Sequence, residues 1–301
     1  MLKGVKNFDD IVVSTKTIIA VTNTEINIEN VFKELPVTNY IIVPKKRGRK
    51  KKDIVIDPNE GIKSGSIITL KYQDELRGID LKKKPKNKVK KKFFRNALTI
   101  VMVIDGKLIN FKISKNGKFQ ITGCKFNTHA EQAVRFTWDY IQHKNGDEPL
   151  YTINDENLRI VFFTVMTNID FNLGFKINRE NLDKYINLNT EYNSLLETSF
   201  GYTGVNIKIP ILSIKDTNLK SITNKSGVWE ENYIKYTDYL EILNPKDREK
   251  ELKKRRYNTF LVFHSGNVIM SGMTKEVMKP IFEGFLTIVK KCKDTIEEKL
   301  E

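Results

Sequence analysis

The stretch NGKFQITGCK at 116–125 and the stretch SGNVIMSGMT at 265–274 follow one plan. Each begins with a hairpin glycine, continues as an alternating strand and reaches a second glycine just before a helical segment. In both helical segments apolar residues recur every three or four positions, which predicts one buried stripe on each helix. The stripe positions are Ala130, Val134, Trp138 and Ile141 in the first helix, and Val277, Ile281, Phe285, Ile288, Cys292 and Ile296 in the second.

A second pair of segments supports an internal repeat. IIAVTNTEINIENVF at 18–32 and FFTVMTNIDFNLGFKINRENL at 162–182 each contain an apolar strand ending in Thr-Asn. Each then continues with Ile-Asn-x-Glu-Asn and an aliphatic residue. Each half of the chain therefore reads as strand, helix, several strands and a long final helix. Two such halves predict an α+β protein with a pseudo-twofold axis.

The charge of the chain is concentrated in two short tracts. Among 301 residues, 52 are Lys or Arg and 37 are Asp or Glu, an excess of fifteen positive charges. PKKRGRKKK at 44–52 carries seven basic residues and KKKPKNKVKKK at 82–92 carries eight, which together equal that excess. We interpret both tracts as arms that contact a polyanion, since each neutralised phosphate releases counterions. Their candidate contact residues are Arg47, Arg49, Lys50, Lys51, Lys52, Lys90, Lys91 and Lys92.

Other interpretations of the basic tracts, above all of the first one, remain open. Arg47-Gly48-Arg49 has the arginine spacing of peptides that lie in an A·T minor groove, but the flanking prolines of such peptides are missing. The same tract is equally typical of a nuclear-localisation signal, and a solvated loop without a specific role is the plain alternative.

The repeats resemble the TATA-box-binding protein family. In the first half the matching residues are Gly117-Lys118 and Thr122-Gly123-Cys124-Lys125. In the second half they are Phe263-His264-Ser265-Gly266, Ser271-Gly272, and Phe200 placed ten residues before Pro210. The resemblance implies a saddle: one curved antiparallel sheet from two pseudo-symmetric repeats, with helices on the convex face and a DNA minor groove on the concave face. Wedging of the minor groove by apolar side chains is the known behaviour of that family.

The resemblance divides the chain at residue 145. Residues 1–145 form the first repeat, with an insertion at 36–93 that holds both basic tracts, and residues 146–301 form the second, with an insertion at 211–256. Without the two insertions, the remaining length suits two repeats of the family.

Period-two alternation predicts which side chains share a face of the sheet. In the second half, Phe260, Val262, Val268 and Met270 point one way, while Leu261, Phe263, Ile269 and Ser271 point the other. Both sets are largely apolar, so one is expected to cover helices and the other to need a partner. The resemblance places the second set against DNA, with Phe200 and Phe263 as the wedge between base steps. The alternative is that Phe263 belongs to a second core.

The first half is predicted to be polar on its DNA-facing side. Phe111, Ile113, Phe119 and Ile121 share one face, and Lys112, Ser114, Gln120 and Thr122 share the other. The family's wedge positions fall on Ala97 and Ser114, neither of which can pry a base step open. The resemblance implies phosphate contacts by Lys118 and Lys125, which Asn267 and Thr274 replace in the second half. Asn23 and Asn168 are candidates for the paired groove-reading asparagines, although a strand-end asparagine is also a common turn residue.

Several classes of function find no support in the sequence. No stretch of about eighteen apolar residues could cross a bilayer, and the N-terminus MLKGVKNFDD lacks the apolar core of a secretory leader. Two cysteines, Cys124 and Cys292, are interpreted as core thiols in a reducing compartment, and the three histidines have no metal-ligand spacing. No nucleotide-binding loop or nucleophile motif is present, so we expect no enzyme activity, cofactor or metal.

The resemblance implies a transcription initiation factor that bends A·T-rich promoter DNA through the minor groove, and the composition favours an intracellular protein. The resemblance implies a transcription-factor-B-like protein and RNA polymerase as partners. Two alternatives remain: an architectural or packaging protein that binds DNA in bulk, and a protein-interaction scaffold that has lost the wedge. The abundance of Lys, Asn and Ile favours an A·T-rich genome such as that of a large DNA virus, with the nucleus, a viral factory or the virion as the site of action.

Overall fold

A computed structural model describes residues 4–42, 58–81, 96–142, 149–197 and 203–298. The strands are β1 Val13–Thr22, β2 Thr24–Ile26, β3 Ile67–Tyr72, β4 Glu75–Gly78, β5 Ala97–Ile104, β6 Lys107–Ser114, β7 Lys118–Cys124, β8 Tyr151–Ile153, β9 Leu158–Asn172, β10 Asn193–Glu197, β11 Gly204–Pro210, β12 Asn218–Lys225, β13 Val228–Lys235, β14 Tyr257–Phe263 and β15 Asn267–Gly272. The helices are α1 Ile28–Glu34, α2 Asn127–Gln142, α3 Arg179–Asn189, α4 Tyr236–Ile242, α5 Pro245–Leu252 and α6 Lys275–Ile296.

The chain forms two compact units. The C-terminal unit contains residues 1–17, 164–219 and 233–301, and the N-terminal unit contains residues 18–163 and 220–232. Both units are made of antiparallel strands with helices, which confirms the predicted α+β class. The predicted repeats, 1–145 and 146–301, stay a prediction, because compact packing and sequence repetition are different properties.

In the C-terminal unit the strands follow the order β10, β11, β14, β15 and the second part of β9. Helices α3 and α6 cover one face, where their apolar side chains meet those of the strands in a common core. Phe260 of β14 stacks on Phe285 of α6 with ring centroids 4.1 Å apart. The opposite face carries no helix among the described residues, and we call it the C-terminal open face.

In the N-terminal unit β4, β3, β5, β6, β7 and the second part of β1, from residue 18, lie side by side. Helices α1 and α2 cover one face, with Phe111 and Phe119 of the sheet fully buried beneath them. All four predicted stripe positions of α2 are buried, so that prediction is confirmed. The opposite face of β5, β6 and β7 is called the N-terminal open face.

Equivalent local structures occur in both units. The asparagine of each Ile-Asn-x-Glu-Asn motif begins a helix: Asn27 accepts a hydrogen bond from the backbone of Asn30 at 3.2 Å, and Asn178 accepts one from Asn181 at 3.0 Å. Such side-chain caps satisfy backbone N–H groups that have no partner within the helix. The predicted hairpin glycines also match, since Gly117 and Gly266 adopt φ of +67° and +80° in turns that only glycine favours.

The buried stripe of α6 differs from its prediction by one residue at three positions. Phe285, Cys292 and Ile296 are buried as expected, but Met278, Phe282 and Val289 are buried in place of Val277, Ile281 and Ile288. The three expected residues are only partly buried. Each of these sites is an adjacent apolar pair, so two stripes of nearly equal apolarity existed in the sequence.

The first insertion is not wholly outside the sheet. The segment 36–93 was expected to lie between the first helix and the second strand, but it contains β3 and β4. Strand β3 pairs with β5 and β4 pairs with β3, so the insertion supplies two strands of the N-terminal unit. These two strands were not foreseen from the sequence, because β3 is largely buried and has an irregular register between Ile67 and Thr69, which hides its alternation; the bounds of the insertion stay a prediction.

The second insertion, 211–256, forms β12, β13, α4 and α5. Strand β12 pairs with the first part of β9. In the N-terminal unit, Lys220 of β12 lies 2.7 Å from Glu131 of α2, and Arg135 of α2 lies 2.7 Å from Glu231 of β13. These pairs attach the insertion to the helix-covered side of that unit. No helix among the described residues is long and apolar enough to span a bilayer.

Candidate nucleic-acid interface

The C-terminal open face presents the side chains that alternation predicted. Phe260, Val262, Val268 and Met270 are buried against the helices, as expected. Leu261, Phe263, Ile269 and Ser271 point to the open face and are partly exposed. The interpretation of Phe263 as part of a second core is therefore not supported, since no described element covers this face.

Strand register arranges this face as three cross-strand rows. We call them the outer, middle and inner rows of the C-terminal grid. The outer row is Glu197, Gly204, Phe263, Asn267 and Asn172; the middle row is Leu195, Asn206, Leu261, Ile269 and Asp170; the inner row is Asn193, Lys208, Thr259, Ser271 and Asn168. The grid combines the apolar residues Leu195, Leu261, Phe263 and Ile269 with asparagine, serine and threonine residues and with three charged ones, Glu197, Asp170 and Lys208.

The two wedge positions of each half can now be compared by register. Ala97 lies opposite Ser114 in the N-terminal unit, and Gly204 lies opposite Phe263 in the C-terminal unit. Gly204 is thus the positional counterpart of Ala97. Phe200, the predicted second wedge, lies outside the described residues, and its role stays a prediction.

The N-terminal open face is polar, as alternation predicted. Phe111, Ile113, Phe119 and Ile121 are buried, and the strip formed by Lys112, Ser114, Gln120 and Thr122 lies on the other side. Two of the hydroxyl groups are used locally: Ser114 Oγ donates to Lys118 O at 3.1 Å, and Thr122 Oγ1 donates to Asn110 O at 3.0 Å. A hydroxyl oxygen that donates to protein can still accept from a ligand.

The insertion covers part of this face. Tyr40, Ile62 and Leu81 pack against Val101 and Val103, on the same face of β5 as Ala97 and Thr99. The polar strip on β6 and β7 is consequently bordered by a small second core. Sequence reasoning missed it because its members come from short segments next to the charged tracts.

The predicted phosphate-binding lysines have defined surroundings. Lys118 begins β7 next to the turn at Gly117, and Lys125 follows β7 at the start of α2. The backbone N–H of Lys125 donates to Nδ1 of His129 at 3.3 Å. Burial lowers the pKa of His129, although the charge of Asp105 opposes this, so the ring is held neutral and able to accept. Nζ of Lys125 lies 5.8 Å from the ring centre of Phe126, which is exposed.

The two candidate groove-reading asparagines differ in their availability. Asn23 Nδ2 donates to Asn157 O, and Asn23 Oδ1 accepts from Arg159 N, both at 2.8 Å. This is the turn-forming role that the sequence left open. Asn168 Oδ1 is buried without a hydrogen-bond partner among the described residues, so its amide is not committed to the fold. Contact of Asn168 with DNA stays a prediction.

The basic tracts lie outside the described residues, and with them all eight arm residues named above. The nearest described residues are those up to 42 before the first tract and from 58 after it. Ile41 N donates to Asn59 Oδ1 at 2.8 Å, and Asn59 Nδ2 donates to Ile41 O at 2.9 Å. Among the described residues no group of three or more His, Cys, Asp or Glu side chains could hold a metal ion.

Sequence reasoning did not single out Asp170, Asn206 or Lys208. Asp170 lies opposite Ile269, and Asn206 and Lys208 lie opposite Leu261 and Thr259. Extending the alternation from β14 and β15 to β9 would have found Asp170, whereas Asn206 and Lys208 required the register of β11.

Two viral proteins resemble this chain in sequence. Over 217 residues the chain is 29% identical to the uncharacterised protein 335L of Invertebrate iridescent virus 6, an alignment that covers 68% of this chain and 63% of that protein. Over 156 residues it is 31% identical to a TATA-box-binding protein-like protein of Acanthamoeba polyphaga mimivirus, covering 46% of this chain and 42% of that protein. The chain thus spans less than two thirds of the length of either relative. No family model matches it.

The resemblance to the TATA-box-binding protein family, first seen in short motifs, is confirmed by the second of these relatives. Among solved structures, the TBP of Methanococcus jannaschii aligns with 93% of this chain and 98% of its own, at 13% identity and a TM-score of 0.45.

Proposed function

We propose that this protein is a DNA-binding factor of the TATA-box-binding kind, which binds the minor groove of double-stranded DNA and takes part in transcription initiation. The observation that carries the proposal is the C-terminal grid. It holds four apolar side chains that are at least partly exposed, Leu195, Leu261, Phe263 and Ile269, on a sheet face that no described helix covers. An apolar surface of this kind needs a partner.

The minor groove is a partner that fits this surface. Proteins that insert apolar side chains between base steps unstack them and kink the duplex, and the kink brings more protein surface into contact. Phe263 lies at the outer row, where the strand ends at the turn before Gly266. It therefore lies at the edge of the grid, next to the turn. The asparagine, serine and threonine side chains around it can donate hydrogen bonds to the acceptors of the groove floor.

The N-terminal unit contributes in another way. Its polar strip has no apolar wedge, since Ala97 and Ser114 occupy the paired positions. We propose that Lys112, Lys118 and Lys125 contact phosphates there, while Gln120 and Thr122 face the groove. Such contacts position the protein without selecting sequence. DNA bending is then unequal at the two ends.

A DNA-binding role without enzymatic activity fits the apolar C-terminal grid and the polar strip of the N-terminal unit. The partners of such a factor would be a transcription-factor-B-like protein and RNA polymerase. The viral relatives fit action in a viral factory or virion.

An architectural role is the second candidate, favoured by the fifteen charges held in two tracts. Binding measured on A·T-rich and G·C-rich duplexes of equal length, at low and raised salt, separates the two. A promoter factor retains its preference for A·T-rich duplex at raised salt, whereas an architectural protein loses binding uniformly.

Two variants test whether the preference for A·T-rich duplex depends on the C-terminal grid. Leu261→Asp places a charge on the open face, and Leu212→Asp places the same charge at a position that is 95% exposed and outside the strands. We expect the first to abolish sequence preference and the second to leave it intact. Equal behaviour of the two variants, or a wild type without preference, would contradict the proposal.

A further inference from the structure

Asp170 is an acid in the middle of the surface proposed to bind DNA. It lies opposite Ile269, its side chain is exposed, and it makes no hydrogen bond or ion pair to any residue that the structure describes. The other acidic residue of the C-terminal grid, Glu197, lies at its outer corner on the edge strand β10, whereas Asp170 lies in the middle row. A carboxylate facing a polyanion is unfavourable unless it finds a donor.

Asp170 and the proposed wedge share one open hollow. The hollow has a volume of about 680 Å³ and is lined on this face by Asp170, Asn172, Phe263, Ser265, Asn267 and Ile269. The side-chain amide of Asn172 is already hydrogen-bonded within the protein: its Nδ2 donates to Asn267 Oδ1 at 2.7 Å, and its Oδ1 accepts from Gly174 N at 2.7 Å. Among the described residues that line the hollow, Asp170 is the only one with a charged acceptor.

DNA offers a carboxylate very few donors in the minor groove. The sugar and phosphate groups of DNA only accept hydrogen bonds, and an A·T pair presents only the acceptors adenine N3 and thymine O2. The exocyclic amine of guanine is the donor on that side of the duplex. A carboxylate pressed against the groove floor therefore opposes A·T and favours G·C at the pair that it meets.

We propose that Asp170 is a specificity-determining residue that accepts a hydrogen bond from the guanine amine of a G·C pair within an otherwise A·T-rich site. This rests on the proposed function. Strand β15 separates β14 from β9, and Asp170 lies one row further in than Phe263, so the two are about 12 Å apart on the sheet. At about 3.4 Å per base pair, the G·C pair lies within about four pairs of the step kinked by Phe263.

Inosine tests this contact directly, because it pairs with cytosine but lacks the exocyclic amine. A selection on random duplexes first gives the preferred site, and each G·C pair in it is then replaced by inosine·C and by A·T. We expect wild-type binding to fall about tenfold with either replacement at one pair. Asp170→Ala should be insensitive to inosine at that pair, and Asp170→Asn should accept A·T there, because its amide can donate.

Asp294→Asn is the matched control. It makes the same change at an exposed position of α6, on the helix-covered side of the same unit, and should keep the wild-type profile. If the wild type binds a selected site but no inosine replacement distinguishes it from Asp170→Ala, this inference is overturned while the proposed function stands. If the wild type selects no sequence at all, the proposed function fails with it.

Discussion

Phe263 lies directly opposite Gly204 on the antiparallel strands β14 and β11. A side chain at 204 would meet Leu261, since a Cβ built there lies 2.7 Å from Leu261 Cδ1. Leu261 therefore occupies the space beside Phe263, and the two form one apolar ridge on the C-terminal open face. In the N-terminal unit the equivalent pair, Ala97 and Ser114, forms no such ridge. This difference is the basis of the unequal ends proposed for the complex.

Glycine at 266 is expected to be essential for the fold of the C-terminal unit. Its φ is +80°, and a Cβ there would lie 2.2 Å from the carbonyl oxygen of Phe175. Gly266→Ala should reduce the free energy of unfolding by more than Gly106→Ala, whose φ is +70° but whose Cβ would meet nothing within 4 Å. The control should cost only about 1–2 kcal/mol for the left-handed backbone. Urea unfolding of both variants measures the difference, and equal costs would show that the turn relaxes freely.

Glu251 should make the stability of the protein depend on pH in the acid range. Burial raises the pKa of this carboxyl, but hydrogen bonds and charges from Lys254 and Arg256 outweigh it and hold the pKa below the ordinary 4.5. A lowered folded pKa stabilises the native state above about pH 4.5, and this contribution is lost as the pH falls through the folded value. Glu251→Gln should therefore lower the free energy of unfolding at pH 7 by roughly 1–3 kcal/mol.

As the pH falls below 4.5, the wild-type carboxyl becomes protonated. Glu251→Gln should then lower the free energy of unfolding by progressively less. Glu241→Gln, on the exposed side of α4, is the control and should have little effect at any pH. Chemical denaturation over a pH series gives both curves. If Glu251→Gln lowers the free energy of unfolding by the same amount at every pH, the carboxylate charge is not what stabilises this site.

Cys292 should be chemically inert in the native protein. Burial raises the pKa of its thiol to about 11, although a backbone hydrogen bond acts in the opposite direction. The thiolate is the reactive form, so little of it exists at pH 8. Titration with an aromatic disulfide reagent should find almost no reactive thiol in the native state and both Cys124 and Cys292 in urea. Fast labelling of native Cys124→Ser protein would contradict the burial of Cys292.

The basic tracts should supply affinity but not specificity. Replacing the basic residues of 44–52 and 82–92 by glutamine should weaken binding and flatten its dependence on salt, because fewer counterions are released. Sequence preference should stay unchanged, since phosphate contacts position but do not select. Fluorescence anisotropy at several salt concentrations measures both. Lys290→Gln with Lys291→Gln on exposed positions of α6 is the control; an unchanged salt slope in the tract variant would exclude the tracts as the electrostatic contact.

Much of the fold was accessible from the sequence because its strands alternate cleanly. Phe111, Ile113, Phe119 and Ile121 are separated by polar residues, so their shared face was predictable. Strand β3 was not predicted, because Ile67, Ile68, Thr69 and Leu70 are all buried and show no alternation. The stripe of α6 was displaced at adjacent apolar pairs, such as Ile281 and Phe282, where only tertiary packing selects the buried member.

The candidate site was predictable to a similar extent. The face that holds Leu261, Phe263, Ile269 and Ser271 followed from period two alone. The pairing of Phe263 with Gly204 did not, since it depends on a register across the long second insertion. The hydrogen-bonded side chain of Asn23 and the unpaired oxygen of Asn168 also depend on tertiary contacts, because both residues follow threonine in the same sequence context. The strand predicted to end at Asn168 in fact continues to Asn172, whereas β1 ends at Thr22 as expected.

The bend angle of an A·T-rich duplex, measured by fluorescence energy transfer between its ends, tests the central claim most directly. Wild-type protein should bend the duplex, and Phe263→Ala should remove most of the bend, because unstacking a base step requires the apolar side chain. Ser114→Ala, at the equivalent position of the N-terminal unit, should leave the angle nearly unchanged. A bend and an affinity that both survive Phe263→Ala would contradict the assignment of the C-terminal open face to the minor groove.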